Sequence, residues 1–227
     1  RPLGLTFDRE GVLWIADAQR GLLSYRAGAE VRVRSDQADG TQITFGNSLD
    51  IDDDGIIYFT DASTKFGAKA FGGPLPASEY DILEHGGHGR LLSYEPKSGK
   101  TRVLLRGLQF ANGLVISHDR GSLLVAETGL YRVSRYHLRG SKRGQRETLL
   151  DNLPGFPDNL SRSPKGYWLG LVAPRLAVVD RLSAWPELRK VAERLPHLLR
   201  PKARPYAHVV EFDDKGAILR NLQDPEG

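Results

Sequence analysis

The chain of 227 residues predicts an all-β fold of the propeller type, and three observations carry that prediction. Short apolar segments alternate with tight turns. These strand–turn–strand units recur at a blade-like period. An Asn or Asp stands at the same point of successive units. The units begin at Gly4, Asn47, Asn112 and Asp158, at intervals of 43, 65 and 46 residues. The long interval holds an insertion, 65–88, rich in Gly and Pro and expected as a loop. Without it the period falls near the ~40–50 residues of a propeller blade. A β-sandwich also yields short strands with regular turns, but it does not repeat an Asn or Asp in phase.

Taken in order, the first unit reads "GLTFDREGVLWIADAQRGLLSYRAG" from Gly4 to Gly28. The second opens on "NSLDIDDDGIIYFTDAS" (Asn47–Ser63) and resumes after the insertion as "GRLLSYEPKSGKTRVLL" (Gly89–Leu105). The third is "NGLVISHDRGSLLVAETGLYRVSRYHL" (Asn112–Leu138), and the fourth starts as "DNLSRSPKGYWLGLVAPRLAVVD" (Asp158–Asp180). "DREG", "DDDG" and "SPKG" connect paired strands, because Asp and Gly accept the dihedrals of tight turns. One segment breaks the β pattern. Between Asp180 and Leu199, Leu188, Val191, Ala192 and Leu195 fall at helical spacing, with Pro186 and Glu187 suited to a first turn. This predicts an inserted helix over 180–199 that serves as substrate lid, membrane-resting surface or packing. The terminal "HVVEFDDKGAILRNLQDPEG" reads as strands awaiting partners, so 1–227 is expected as one propeller domain incomplete at both ends.

Charge and composition exclude several classes. The 32 basic and 28 acidic residues give a net charge of +4, but they are interspersed, so no nucleic-acid-binding stripe forms. The densest basic run, Leu138–Arg146, reads as a solvated loop. No stretch approaches the ~20 consecutive apolar residues of a membrane span. The absence of cysteine excludes disulfides and thiolate metal sites, and leaves the compartment open between cytoplasm and periplasm or membrane surface. Methionine is also absent, so the chain is expected to be a fragment whose upstream signal or anchor, if any, is not seen. Oligomeric state is not specified.

The unit beginnings align as "FGNSLDID", "FANGLVIS" and "FPDNLSRS". Phe45, Phe110 and Phe156 each precede, by two residues, Asn47, Asn112 and Asp158. The innermost strand of a blade starts near the central channel, so these positions are expected to converge there with amide and carboxylate oxygens. Hard cations such as Ca²⁺ take six to eight oxygen ligands, which Asn, Asp and carbonyls supply. Each residue taken alone is as well explained as a turn former; the three in phase point to a shared site. The first unit departs from the pattern, offering Leu3-Gly4 without an oxygen donor. Other candidates carry weaker signals. His85 and His88 have metal-like spacing inside a Gly-rich loop, Asp61 and Glu127 end second strands in capping or sheet-edge roles, and His118 lies in a hairpin turn. Arg175, after Ala173-Pro174, is a candidate for meeting an anionic substrate group.

These residues also carry a family resemblance. The succession "GVLWIADAQRGLL", "IYFTDAS", "QFANGLVIS", "LPGFPDNLSRSP" and "LQDPEG" resembles strictosidine-synthase-like proteins, a group that includes the adipocyte plasma membrane-associated proteins. The resemblance runs from Arg1 to Gly227, and is more distant to gluconolactonases and paraoxonases. It implies a six-bladed β-propeller with incomplete terminal blades here. In the hydrolytic relatives it implies Ca²⁺ or another divalent cation in the channel. The ligands would be a first-blade Glu upstream of Arg1, together with Asn47, Asn112, Asp158 and, in some members, Asn159. Relatives usually have Asn-Asp where this chain has Asn47-Ser48. Paraoxonases carry a His where Leu3 falls, so their histidine-assisted mechanism is not supported.

The expected activity is metal-assisted hydrolysis of a small lactone or aryl ester, with Asp158 as ligand and candidate base. The alternatives are amine–aldehyde condensation of the strictosidine-synthase type, whose essential Glu would lie beyond Gly227, and a non-catalytic propeller used as a binding platform, with membrane association left open.

Overall fold

The computed structural model describes residues 1–175, 180 and 206–224. Four four-stranded antiparallel sheets follow one another along the chain, each a blade. The first comprises β1 (Pro2–Phe7), β2 (Leu13–Asp17), β3 (Gly21–Tyr25) and β4 (Arg32–Ser35). A short ribbon, β5 (Gln37–Ala38) and β6 (Thr41–Gln42), leads to the second: β7 (Gly46–Ile51), β8 (Ile57–Asp61), β9 (Gly89–Glu95) and β10 (Lys100–Leu108). The third holds β11 (Ala111–Ile116), β12 (Ser122–Glu127), β13 (Arg132–His137) and β14 (Arg146–Leu150). The fourth holds β15 (Gly155–Ser163), β16 (Gly166–Pro174), β17 (Ala207–Phe212) and β18 (Ile218–Asp224). In every blade sequential strands are neighbours, so each sheet is a local meander.

The turns form for the reason the sequence suggests. Asp8 Oδ1 accepts from the backbone N–H of Glu10 and Val12, and Asp52 Oδ1 accepts from Asp54 and Ile56 in the same pattern. Asp213 repeats it with Lys215 and Ala217. Each carboxylate thereby replaces backbone partners that a tight hairpin cannot supply.

Hydrophobic cores lie between successive blades, which separates a propeller from a two-sheet sandwich. Trp14, Leu22, Leu49, Phe59 and Leu92 fill the space between the first and second sheets. Tyr58, Leu91, Leu114, Leu123 and Tyr136 fill that between the second and third. Val115, Leu124, Tyr167, Leu169 and Phe212 do so between the third and fourth. The first strands face one another in sequence, β1 against β7, β7 against β11 and β11 against β15, lining an axis. The described residues hold four blades, fewer than the six the resemblance implies.

Two insertions were expected. The stretch 65–88, expected as a loop, contains helix α1 (Pro74–Glu84). Its prolines suggest a loop, yet Pro74 and Pro76 fall in the first turn, where a missing N–H removes no helical bond. The helix ends at His85 in the left-handed conformation, followed by Gly86-Gly87. The helix expected over 180–199 lies outside the described residues, Asp180 excepted.

The blades meet most tightly at the channel. A Cβ added to Gly113 of β11 would stand 2.3 Å from the carbonyl oxygen of Asp158 and 2.6 Å from the amide of Leu160. Gly4 of β1 meets Asn47 and Ser48 in the same manner. We expect Gly113→Ala to destabilise the protein by at least about 2–3 kcal/mol, since fixed backbone rather than a movable side chain is struck. Gly170→Ala, whose Cβ would meet nothing within 4 Å, should lie within about 0.5 kcal/mol of wild type. Urea denaturation of both variants checks the pair.

Candidate functional site

The first strands of the second, third and fourth blades share one irregularity. In β7 the pairs Gly46–Asp61 and Leu49–Phe59 enclose Asn47 and Ser48, against Thr60 alone on β8. In β11 the pairs Ala111–Glu127 and Leu114–Val125 enclose Asn112 and Gly113, against Ala126. In β15 the pairs Pro157–Leu171 and Leu160–Leu169 enclose Asp158 and Asn159, against Gly170. Each is a β-bulge, which bends the strand and re-aims the extra side chain. The same step in β1, between Pro2 and Gly4, presents Leu3.

All four bulges open on one cavity of about 430 Å³. Asn47, Asn112, Asp158 and Asn159 line it together, with Leu3 at the equivalent place of the first blade. Its walls are apolar: Phe45, Phe110 and Phe156 stand beside the polar residues, and α1 covers one side. Phe45 and Phe110 meet edge to face at 5.2 Å, and Phe156 packs on Tyr131 at 4.8 Å. The Phe that precedes each ligand candidate by two residues therefore builds the wall beside it.

Hydroxyls tie neighbouring bulges together. Thr60 Oγ1 donates to the Asn112 carbonyl at 2.8 Å, and Thr128 Oγ1 donates to the Pro157 carbonyl at 2.7 Å. Asn112 Nδ2 in turn donates to Thr128 Oγ1 at 3.2 Å, which fixes the amide plane. Its Oδ1 is left buried without a hydrogen-bond partner. A buried amide oxygen with no donor is costly unless a ligand satisfies it, and a cation does so. Burial raises the Asp158 carboxyl above the ordinary carboxylate range, and the Asn112 amide offsets part of that rise. One carboxylate and several neutral oxygens suit a hard cation. No cluster of three or more His, Cys, Asp or Glu exists among the described residues to suggest a softer ion.

Behind the bulges, acids at the ends of second strands hold the incoming chain. Asp61 Oδ1 accepts from the Phe45 N–H at 2.9 Å, and Glu127 Oε2 accepts from Gln109 at 3.0 Å. Asp61 also pairs with the buried Arg90 at 2.7 Å, whose guanidinium reaches the carbonyls of Ala38 and Gln42. Glu127 pairs with Arg132 at 2.8 Å and Ser134 at 2.5 Å. Both act as the caps the sequence suggests.

Comparison with known proteins places this geometry. The strictosidine synthase family model matches residues 47–141. The adipocyte plasma membrane-associated protein of Salmo salar is 35% identical over 239 residues, covering all of this chain and 56% of its own length. Strictosidine synthase-like protein 3 of Arabidopsis thaliana is also 35% identical, covering all of this chain and 58% of its own length. The chain is similar to strictosidine-synthase-like proteins along its whole length. It spans little more than half the length of these curated relatives. Among solved structures, a gluconolactonase from Xanthomonas campestris superposes with a TM-score of 0.67 at 18% identity, over 97% of this chain and 61% of that one. A luciferin-regenerating enzyme does so with a TM-score of 0.58 at 13% identity, over 99% of this chain and 77% of that one. These likenesses show the propeller fold.

The structure brings together four of the five sequence candidates and leaves one outside. Arg175 is not among the residues lining the cavity. Its Nε pairs with Asp180 at 3.0 Å, a second nitrogen bonds Asn152, and its guanidinium stacks 4.3 Å from the Tyr131 ring. His88 bonds Glu84 at 2.6 Å, bracing the end of α1, and His118 stacks on Tyr167 at 5.1 Å. Sequence reasoning missed Thr60 and Thr128, since a lone Thr carries no signal. It also missed the whole face of α1, where Leu75, Ser78, Glu79 and Ile82 line the cavity.

The opposite side of α1 buries Asp81, whose carboxyl burial pushes up to about 6, with Ser63 and His88 opposing the rise. An acid with a folded pKa above its unfolded 3.8 favours folding only while protonated, so its penalty grows as pH rises from about 4 to 6 and is complete above 6. We expect Asp81→Asn to raise stability by up to about 3 kcal/mol at pH 7.5 and to change little at pH 4. Chemical denaturation at the two pH values reads the difference.

Proposed function

We propose that the chain forms the catalytic part of a hydrolase of small lactones or aryl esters that works with a divalent cation, calcium foremost. The observation that supports this reading is the convergence of Asn47, Asn112, Asp158 and Asn159, through three in-phase bulges, on one apolar-walled cavity. The volume of about 430 Å³ suits a small ester.

Asn47, Asn112, Asp158 and Asn159 would hold the ion by their oxygens. When bound, it supplies Lewis-acid polarisation of the ester carbonyl. The protein's own groups do the rest. Asp158 accepts a proton from the attacking water at its carboxylate. The Thr128 hydroxyl, anchored on the Pro157 carbonyl, keeps the Asn112 amide from rotating, so its oxygen needs no reorganisation on binding. Phe45, Phe110 and Phe156 exclude bulk water and seat the apolar part of the substrate.

The test is hydrolysis of phenyl acetate and of γ- and δ-lactones, with calcium and with chelator. Wild-type protein should lose turnover on chelation, and calcium should raise its melting temperature. Asp158→Ala should lower kcat/KM by at least about 100-fold while leaving the circular dichroism spectrum unchanged. Calcium affinity should weaken as pH falls, because protons compete for the Asp158 carboxylate at a pH above the ordinary carboxylate range. Chelator-resistant turnover, or full activity in Asp158→Ala, would sink the assignment.

A further inference from the structure

The cavity carries a second carboxylate. In α1, Leu75, Ser78, Glu79 and Ile82 recur at i, i+3, i+4 and i+7 and form its cavity face, while Ala77 and Asp81 are buried on the body side. Glu79 is thus the acidic group of the helix that looks into the cavity. Glu84, at the helix end, is occupied by Lys65 and His88. Glu79 has no ion pair or hydrogen bond among the described residues, and none of the described lining residues is Lys, Arg or His. The cavity therefore holds two carboxylates, Glu79 and Asp158, three amides and no described cation to oppose them.

We infer that Glu79 is a specificity-determining residue, which makes the cavity prefer ligands bearing a cationic group, an ammonium on an aromatic or alkyl body, over anionic ones of the same shape. A half-buried carboxylate among Leu75, Ile82 and the Phe walls is poorly screened, so its field on a ligand exceeds that of a surface acid. An ammonium placed there gains that attraction and the faces of Phe45, Phe110 or Phe156 as well. A carboxylate placed there is opposed by Glu79 and has no basic partner among the described lining. A divalent ion bound at Asp158 brings two positive charges into the cavity, so with metal present the preference rests on Glu79 alone and is weaker than without it. This deepens the hydrolase reading, on which its catalytic half rests, by naming the charge class of the substrate.

The experiment pairs probes that differ in charge alone. Binding of benzyltrimethylammonium and of phenylacetate is measured by calorimetry in the presence of chelator, on wild type and on Glu79→Gln. Turnover is measured with calcium on 3-(trimethylammonio)phenyl acetate and 3-carboxyphenyl acetate. Wild type should bind the ammonium at least about tenfold more tightly than the carboxylate. Glu79→Gln should reduce that ratio at least about fivefold without shifting the melting temperature, and should reduce the corresponding kcat/KM ratio in the same direction. Equal affinity for the two probes, no binding of either, or an unchanged ratio in Glu79→Gln overturns the inference. Charge-selective binding that depends on Glu79, with no hydrolysis of any ester, retains it and removes the hydrolase reading instead.

Discussion

The structure depends on a close approach of backbones at the channel, made possible by one surplus residue in each first strand. Gly113 lets β11 meet the Asp158 carbonyl where any side chain would collide, and Gly4 does the same for β1 against β7. With strands that near, an ordinary pleat would leave consecutive side chains alternating between two blade faces. The bulges at Asn47, Asn112 and Asp158 break that alternation and turn these side chains, with Asn159 in the fourth blade, towards the axis. The amides and the aspartate of the cavity floor follow from that step, and the threonines that bond across blades hold it in register.

Much of this was legible in the sequence, for a definable reason. Repetition makes phase visible, so Phe45-x-Asn47, Phe110-x-Asn112 and Phe156-x-Asp158 could be aligned without knowing any contact. The carboxylate turns at Asp8 and Asp52 were legible because their bonding is local. What did not show was non-local or single-copy. Thr128 matters through a carbonyl 29 residues away. Helix α1 was obscured because prolines in a first turn look the same as prolines in a loop. Arg175 reads as a candidate for an anionic substrate group, since Asn152 and the Tyr131 ring reach it only through the fold.

The cavity is asymmetric in a way that matters for chemistry. Its floor, made of sheet, presents fixed oxygens on a rigid scaffold. Its cover is an inserted helix between Gly72-Gly73 and Gly86-Gly87, which presents apolar side chains, Ser78 and one acid, Glu79, to the cavity. On the proposed reading, positioning of the reacting centre and selection of the ligand reside in different elements, and each can change without disturbing the other.

The caps at the ends of second strands have a wider meaning. Asp61 restrains the start of β7 and Glu127 the approach to β11, so in each case a strand is fixed by its own hairpin partner rather than by a neighbouring blade. In these two blades the entry to the axial strand is a cassette complete within one hairpin, to which hydroxyl bonds between blades are added. Such a cassette can be duplicated and then diverge at a single position, and the run of Leu3, Asn47, Asn112 and Asp158 around one cavity is what that history would leave. A ring assembled this way can acquire or discard an axial donor one blade at a time.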